Sequence, residues 1–265
     1  MVKKISISIV TYNSEKVISE CVESLLTPIN KAVYEIMILI IDNQSQDSTV
    51  EIVRNYVSKN DTIKWIQNVI NLGFGSAHNI AINQADSEFH IICNPDIVIS
   101  NETIKTLADY MDQHPDIGIL CPKLINADGS LQANNHRNPT LLDLALRRLV
   151  PKCLQKIFKR RMDAYIMLDV GYEMVCEVPF VSGAFMFCRT EVLKKVGGFD
   201  ERFFLYFEDA DLARSVQKLG YRTVYYPGAS VIHHWERAAH KSWRVALILL
   251  SSAIKYFNKW GYQLY

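Results

Sequence analysis

Residues 89 to 97 read Phe-His-Ile-Ile-Cys-Asn-Pro-Asp-Ile, and the architecture of the chain turns on them. From Phe89 to Cys93 the run is apolar except at His90, short enough for a strand and continuous enough for one buried at the centre of a sheet. It stops abruptly at Asn94-Pro95-Asp96, because Pro95 has no N–H to give to a ladder. A carboxylate therefore stands at a strand's carboxyl end, where open α/β sheets collect their ligands. Asp96 is a hard oxygen ligand, suited to a divalent cation lying between protein and diphosphate. Taken alone, the triplet is only a turn closed by an Asx hydrogen bond, so its role rests on the remainder of the chain.

Upstream, Asn71-Leu72-Gly73-Phe74-Gly75 is a Gly-rich turn feeding a helix through about Gln84. Its glycines permit close backbone approach, and the helix N-terminus offers N–H groups to an anion; an ordinary helix-entry turn reads the same way. Residues 34–41 (YEIMILII) form a near-continuous apolar strand, followed by the polar loop Asp42-Asn43-Gln44-Ser45. Residues 4–10 (KISISIV) alternate at period two and end at Thr11-Tyr12-Asn13, before a helix carrying Val17, Ile18, Cys21, Val22 and Leu25. With a helix at Val50–Val57 and a strand at Ile63–Ile66, the first hundred residues read βαβαβαβ. This predicts an α/β fold with a parallel sheet, helices on both faces and polar loops on one edge.

Downstream, a helix through Met111 and a strand at Ile117–Leu124 precede residues 133–140 (ANNHRNPT), a turn-rich stretch expected to be a mobile loop. Residues 141–162 are basic and amphipathic, with Arg147, Arg148, Lys152, Lys156, Lys159, Arg160 and Arg161 among Leu, Val, Ile and Phe. They suit either a solvated helix face or an anionic bilayer surface. Ser182-Gly183-Ala184 interrupts an apolar run with small residues that leave room for a ligand. In residues 203–212 (FFLYFEDADL), Glu208, Asp209 and Asp211 crowd one helix start; the helix dipole explains one acid there more readily than three beside four aromatics. Tyr221–Tyr226 reads as a short strand and Pro227-Gly228 as a turn. His233-His234-Trp235 then suggests metal ligands or substrate contact. The tail from Ser242 to Tyr265 is an amphipathic helix, either docked on the core or lying in a membrane interface.

At 265 residues and 49% hydrophobic content the chain can bury a full core. A net charge of +1 supplies no global field for nucleic acid. Six scattered cysteines without a CxxC pair suit a reducing compartment, and the absence of any run of about 18 apolar residues argues against a membrane span. The expected organisation is a domain over 1–240, with 141–162 as an insertion, and a helix over 241–265. The expected location is cytoplasmic, peripheral at the inner face of the cell membrane.

Together, Thr11-Tyr12-Asn13, Asp42-Asn43-Gln44-Ser45, Asn71-Leu72-Gly73-Phe74-Gly75, Asn94-Pro95-Asp96, Ser182-Gly183-Ala184 and FFLYFEDADL resemble the family 2 inverting glycosyltransferases of GT-A fold. The likeness covers about residues 4–240 and is greatest to the bacterial rhamnosyltransferase branch, which builds surface polysaccharide. It implies transfer of a sugar from a nucleotide-diphosphate donor, dTDP-rhamnose first, to a glycan or lipid-linked acceptor. Nucleotide contacts are implied for Thr11, Tyr12, Asn13, Asp42, Asn43, Ser45, Asn71, Gly73 and Asn94. Acceptor contacts are implied for Ser182, Gly183, Ala184 and Trp235.

Asn94-Pro95-Asp96 stands where the family has Asp-x-Asp, so Asp96 is the implied ligand for Mg²⁺ or Mn²⁺, and Asn94 removes one charge from the motif. His233, then His234, matches the late histidine that completes the metal shell. Asp209 matches the base that deprotonates the acceptor, with Glu208 or Asp211 in support. The alternatives are a UDP-hexose donor, or a catalytically silent subunit that binds nucleotide sugar.

Overall fold

A computed structural model describes residues 3–27, 33–148, 150–151, 156–234 and 243–264. The first half follows the expected alternation: β1 (Lys3–Thr11), α1 (Ile18–Leu25), β2 (Tyr34–Asp42), α2 (Thr49–Val57), β3 (Ile63–Gln67), α3 (Phe74–Gln84) and β4 (Phe89–Cys93). After it come β5 (Ile97–Ile99), α4 (Thr103–Gln113), β6 (Ile117–Ile125), β7 (Asn135–His136), α5 (Leu141–Arg148) and α6 (Lys159–Tyr165). The chain continues through β8 (Cys176–Glu177), β9 (Phe180–Val181), β10 (Phe185–Arg189), α7 (Thr190–Val196), α8 (Glu208–Lys218), β11 (Arg222–His233) and α9 (Trp243–Trp260).

One sheet runs β3-β2-β1-β4-β10-β6-β11-β5, with β8 also on β11. Ile5, Ile7 and Ile9 face a core shared with α1, α2 and α4. On the other side Ile92, Ile119 and Met186 pack with residues of α3, α7 and α8. The alternation in β1 nevertheless does not mark a solvent face, because its serines are covered too. Ser6 bonds His90 Nδ1 at 2.7 Å, and Ser8 bonds His90 Nε2 at 2.9 Å and His78 Nδ1 at 2.7 Å. Burial pushes His90 down to about 3 and His78 also well down, so both rings are neutral partners in that chain.

The parallel expectation holds for β1 to β4 and for β6 with β11. It fails at two joints that matter. β10 runs antiparallel to β4, pairing Phe185 with Cys93, so the chain entering β10 arrives at the carboxyl end of β4. β5 runs antiparallel to β11, pairing His233 with Ile97, so the end of β11 arrives where β5 begins. Pro227-Gly228 is no turn either: β11 continues through it, with the register against β6 shifting between Tyr226 and Ser230.

Residues 133–140 differ from the expected mobile loop, since Asn135 and His136 pair with Val181 and Phe180 and Asn135 is fully buried. In the basic segment, several cations already have partners. Arg161 bonds Asp143 at 2.7 Å, Arg147 lies 5.0 Å from the Tyr165 ring, and Lys159 pairs with Asp163. Lys152 lies outside the described residues. Among the described residues no helix is long and apolar enough to cross a membrane.

Of the two expectations for the tail, docking is the one observed. Ala253, Tyr256 and Phe257 pack against Phe203, Phe207, Ala210 and Ala213. Each buried aromatic contributes roughly 1.5–3 kcal/mol, more than an exposed ion pair supplies. The polar latch is Asp211, only 2% exposed, which accepts from Lys259 Nζ at 2.8 Å and Trp260 Nε1 at 2.7 Å. Replacing Lys259 by Met and Trp260 by Phe together leaves that carboxylate buried without its donors. The expected loss is about 3 kcal/mol, read as a lower urea midpoint; an unchanged midpoint would show that the latch does not hold the helix.

Candidate active site

The carboxyl ends of β1 and β2 are knitted by short polar bonds. Asp42 is fully buried, accepting from Thr11 Oγ1 at 2.9 Å, Ser45 Oγ at 2.6 Å and Ser45 N at 3.0 Å. Asn13, in a left-handed conformation (φ 53°), donates its N–H to Ser45 Oγ and accepts at Oδ1 from Gln46 N. Asn43 Nδ2 donates to Gly73 O at 2.9 Å, and Asn71 Oδ1 caps Gly73 N at 2.9 Å, which ties the Gly-rich turn to the end of β2. Gly73 is required there: its φ is +85° and a Cβ would lie 2.2 Å from Phe204 O. Tyr12 stands at the rim, 54% exposed.

Four of the expected nucleotide residues, Thr11, Asn13, Asp42 and Ser45, are thus one hydrogen-bonded group, and Asn43, Asn71 and Gly73 adjoin it. Asn94 lies at the neighbouring strand end. Its N–H donates to Ala184 O at 2.9 Å, and the Cys21 and Cys93 thiols point to its carbonyl.

Asp96 and His233 face each other, Oδ2 to Nε2 at 3.4 Å. Gln132 sets the imidazole tautomer. Its Nε2 donates to His233 O and Asn126 Oδ1, which leaves Oε1 as the acceptor for His233 Nδ1–H at 2.8 Å. In the neutral ring Nε2 is then a lone pair aimed at a carboxylate, and the other Asp96 oxygen is buried without a partner. Two acceptors facing each other suit a cation between them. Among the described residues no set of three or more His, Cys, Asp and Glu side chains gathers; Asp96 and His233 are the side chains here that could hold a cation, and diphosphate and water would then complete its shell, as is usual for Mg²⁺.

His234 does not join this pair. Its backbone N–H donates to Asp96 O at 2.9 Å while its ring turns to Glu20, 3.3 Å away, because successive residues of a strand point to opposite sides. Trp235 lies outside the described residues.

The carboxylates of α8 also divide. Tyr206 and Phe207 both have positive φ, 69° and 68°, a strained entry costing about 1–3 kcal/mol per residue. It brings Asp209 to the turn before β10, where Oδ2 accepts from Gly183 N at 3.3 Å and Oδ1 from Ala210 N at 2.8 Å. Those bonds favour the ionised form, yet burial outweighs them and pushes Asp209 up to about 6. Glu208 is pushed well above the usual carboxylate range by burial and by the charge of Asp209, and its Oε2 has no partner. Of the two carboxyls, Glu208 is therefore held the more strongly towards its protonated form. Asp211, expected beside them in support, is instead the latch for α9.

Asp209 and Asp96 therefore flank the same joint, through Gly183, Ala184 and Asn94 in succession. Sequence reasoning missed Gln132, since a single glutamine after a turn carries no signal until β6 and β11 are paired.

A profile described as glycosyltransferase like family 2 matches residues 3–251. The chain is 28% identical over 210 residues to an N-acetylglucosaminyl-diphospho-decaprenol L-rhamnosyltransferase of Mycobacterium tuberculosis, covering 75% of this chain and 66% of that protein. It is 25% identical over 236 residues to the rhamnosyltransferase WbbL of Escherichia coli, covering 86% and 82%. The solved mannosyltransferase PcManGT of Pyrobaculum calidifontis, in complex with GDP-Man and Mn²⁺, superposes with a TM-score of 0.64 at 16% identity, over 98% of this chain and 64% of that one. That likeness is one of fold: the mixed, mostly parallel α/β architecture of GT-A proteins.

The burial of Asp209 has a measurable consequence. Below the unfolded value near 3.8 both states carry the proton; between there and about 6 the unfolded chain ionises while the folded one keeps its proton, so stability falls across that window and stays at its lower level above it. The full penalty is on the order of 3 kcal/mol. Asp209→Asn is expected to raise the melting temperature at pH 8 and to leave it nearly unchanged at pH 4. Equal stabilisation at both pH values would contradict a strained carboxylate.

Proposed function

Because the chain belongs to glycosyltransferase family 2, we propose that it transfers a sugar, rhamnose in first place, from a nucleoside-diphosphate donor to a hydroxyl of a glycan or lipid-linked acceptor, with inversion. The observation that carries this reading is Asp209: half-buried, raised to about 6, and held by Gly183 N–H one residue from the Ala184–Asn94 bond beside Asp96. The two rhamnosyltransferase relatives support the choice of sugar.

Asp209 receives the acceptor proton as the acceptor oxygen forms its bond to the anomeric carbon. The bond from that carbon to the diphosphate breaks, and its electron pair leaves with the nucleoside diphosphate. A base that titrates near 6 is ionised at neutral pH and still basic enough to be effective, where general-base catalysis contributes about 10²–10⁴ in rate. Burial and the charge of Asp209 disfavour a second negative charge on Glu208. One base suffices for direct displacement, without a covalent sugar on the enzyme. Asp96 and His233 would hold Mg²⁺ or Mn²⁺, whose chemistry is to stabilise charge developing on the leaving diphosphate. Asn94, in place of an acid, makes that grip depend more on the donor's own oxygens.

A lipid-linked acceptor accords with one further surface. Along α9, Trp243, Leu247, Leu250 and Ile254 are 69%, 55%, 56% and 48% exposed, a stripe at helical spacing. The basic segment adjoins it, since Leu141 N donates to Gln263 O just beyond α9. This pairing of apolar stripe and cations fits peripheral contact with an anionic bilayer.

Three measurements test these readings. A thermal-shift panel of dTDP, UDP and GDP with and without Mn²⁺ should show the largest rise for dTDP with metal, about 2.7 kcal/mol at a hundredfold excess over Kd; no shift with any nucleotide would end the proposal. Asp209→Asn should lower kcat by about 10²–10⁴ while nucleotide shifts persist, and a full transfer rate would remove Asp209 as base. In vesicle sedimentation, recovery should rise with anionic lipid; equal recovery on neutral vesicles would exclude the electrostatic contact.

A further inference from the structure

Resting on the glycosyltransferase reading, we propose that Asn134, Asn135 and His136 form the subsite that seats a sugar ring of the acceptor. These residues look like loop by composition, yet their backbone is pinned. Asn135 N donates to Tyr172 Oη at 2.9 Å, Ser182 N donates to Asn134 O at 3.2 Å, and β7 pairs with β9.

Their side chains are the opposite of satisfied. Asn134 Oδ1, both polar atoms of Asn135, His136 Nδ1 and Asn138 Oδ1 are buried with no hydrogen-bond partner. They make up five of the twelve such atoms among the described residues and fall within positions 134–138. Each costs about 1–3 kcal/mol while unpaired, so an apolar sequence would fold here more stably. Retaining the amides implies a partner.

Position and chemistry identify that partner. Asn134 is bonded to Ser182, and the next residue, Gly183, donates to Asp209, so the cluster adjoins the proposed base. It does so from the side of β9, away from the nucleotide loops of β1 and β2. The His136 ring stacks on Phe180 at 4.9 Å and meets the Tyr165 edge at 5.3 Å. Burial, with Arg147 nearby, pushes His136 down to about 3, so it is a neutral imidazole.

Amides and a neutral imidazole each donate and accept, which matches the vicinal hydroxyls of a sugar. An acceptor diphosphate fits poorly. The neighbouring cations are engaged, Arg137 with Asp169, Arg161 with Asp143 and Arg147 over Tyr165. The ligand is therefore the neutral ring of the acceptor that lies next to the attacked bond.

The test uses the full chain with methyl glycosides of glucose, N-acetylglucosamine and rhamnose as probes, in the presence of Mn²⁺ and whichever nucleoside diphosphate gives the larger thermal shift. Ligand-observed saturation-transfer NMR should detect at least one glycoside on the wild-type protein. Asn135→Ala should weaken it by about tenfold, and His136→Phe, which preserves the stacking on Phe180, should do the same. Nucleotide thermal shifts should be unchanged in both variants, and their melting temperatures equal or higher. The proposal is overturned if glycoside binding survives both substitutions, or if no glycoside binds while nucleotides do. A marked fall in melting temperature in both variants with glycoside binding intact would also overturn it, since the amides would then be serving internal water. Loss of nucleotide shifts in the wild type would instead strike at the glycosyltransferase reading itself.

Discussion

The hydrogen bond from Asn94 N–H to Ala184 O closes the sheet at the point where a parallel strand ends and an antiparallel one begins. A wholly parallel sheet would send the chain before β10 to the far edge, because parallel neighbours enter at the same end. With β10 reversed, Ser182, Gly183 and Ala184 arrive at the carboxyl end of β4 instead. Gly183 then reaches Asp209, and a Cβ there would already stand 3.2 Å from the Phe74 ring. The second reversal, of β5 against β11, brings His233 beside Asp96 by the same logic. These two antiparallel joints, among the four in this mixed sheet, thus assemble both halves of the cleft.

Electrostatics then separates groups that are alike on paper. Glu208, Asp209 and Asp211 lie within four positions, yet each meets a different environment. Asp211 is satisfied by Lys259 and Trp260 and serves stability. Asp209 keeps two backbone donors and loses water, which makes it a stronger base than a free aspartate. Glu208 loses water and gains a negative neighbour, and both raise its carboxyl above the usual range. The C-terminal helix takes part in this division, for without its lysine and tryptophan Asp211 would be a buried acid with no donor.

Unsatisfied polar atoms follow the same geography. Asp96 Oδ1, Glu208 Oε2 and the amides of Asn134 and Asn135 line the stretch from the cation pair to the small β7–β9 sheet. Elsewhere among the described residues the unpaired atoms are scattered singly, at Thr27, Thr62, Trp65, His78 and His234, and Ser6, His90 and Ser8 are linked in a chain. A protein that closes its internal hydrogen bonds in one region and leaves them open in another is prepared for ligands in the second.

Local patterns determined a good deal without coordinates. Apolar runs such as 34–41 and 89–93 identify buried strands because burial on both faces demands them, and the acids and small residues at their ends mark the edge where ligands gather. The succession of Asp42, Asn94-Pro95-Asp96, Ser182-Gly183-Ala184 and Glu208-Asp209 was enough to indicate family and candidate chemistry. Strand direction was not legible, since an antiparallel strand covered on both faces has the same composition as a parallel one. Nor could composition distinguish a loop from a pinned subsite at Asn134–His136, or assign Asp211 and His234 away from the roles adjacent to their neighbours. Those outcomes depend on which distant side chain, Lys259, Trp260, Gln132 or Glu20, comes within hydrogen-bonding reach, and only the folded chain brings residues a hundred positions apart to within 3 Å.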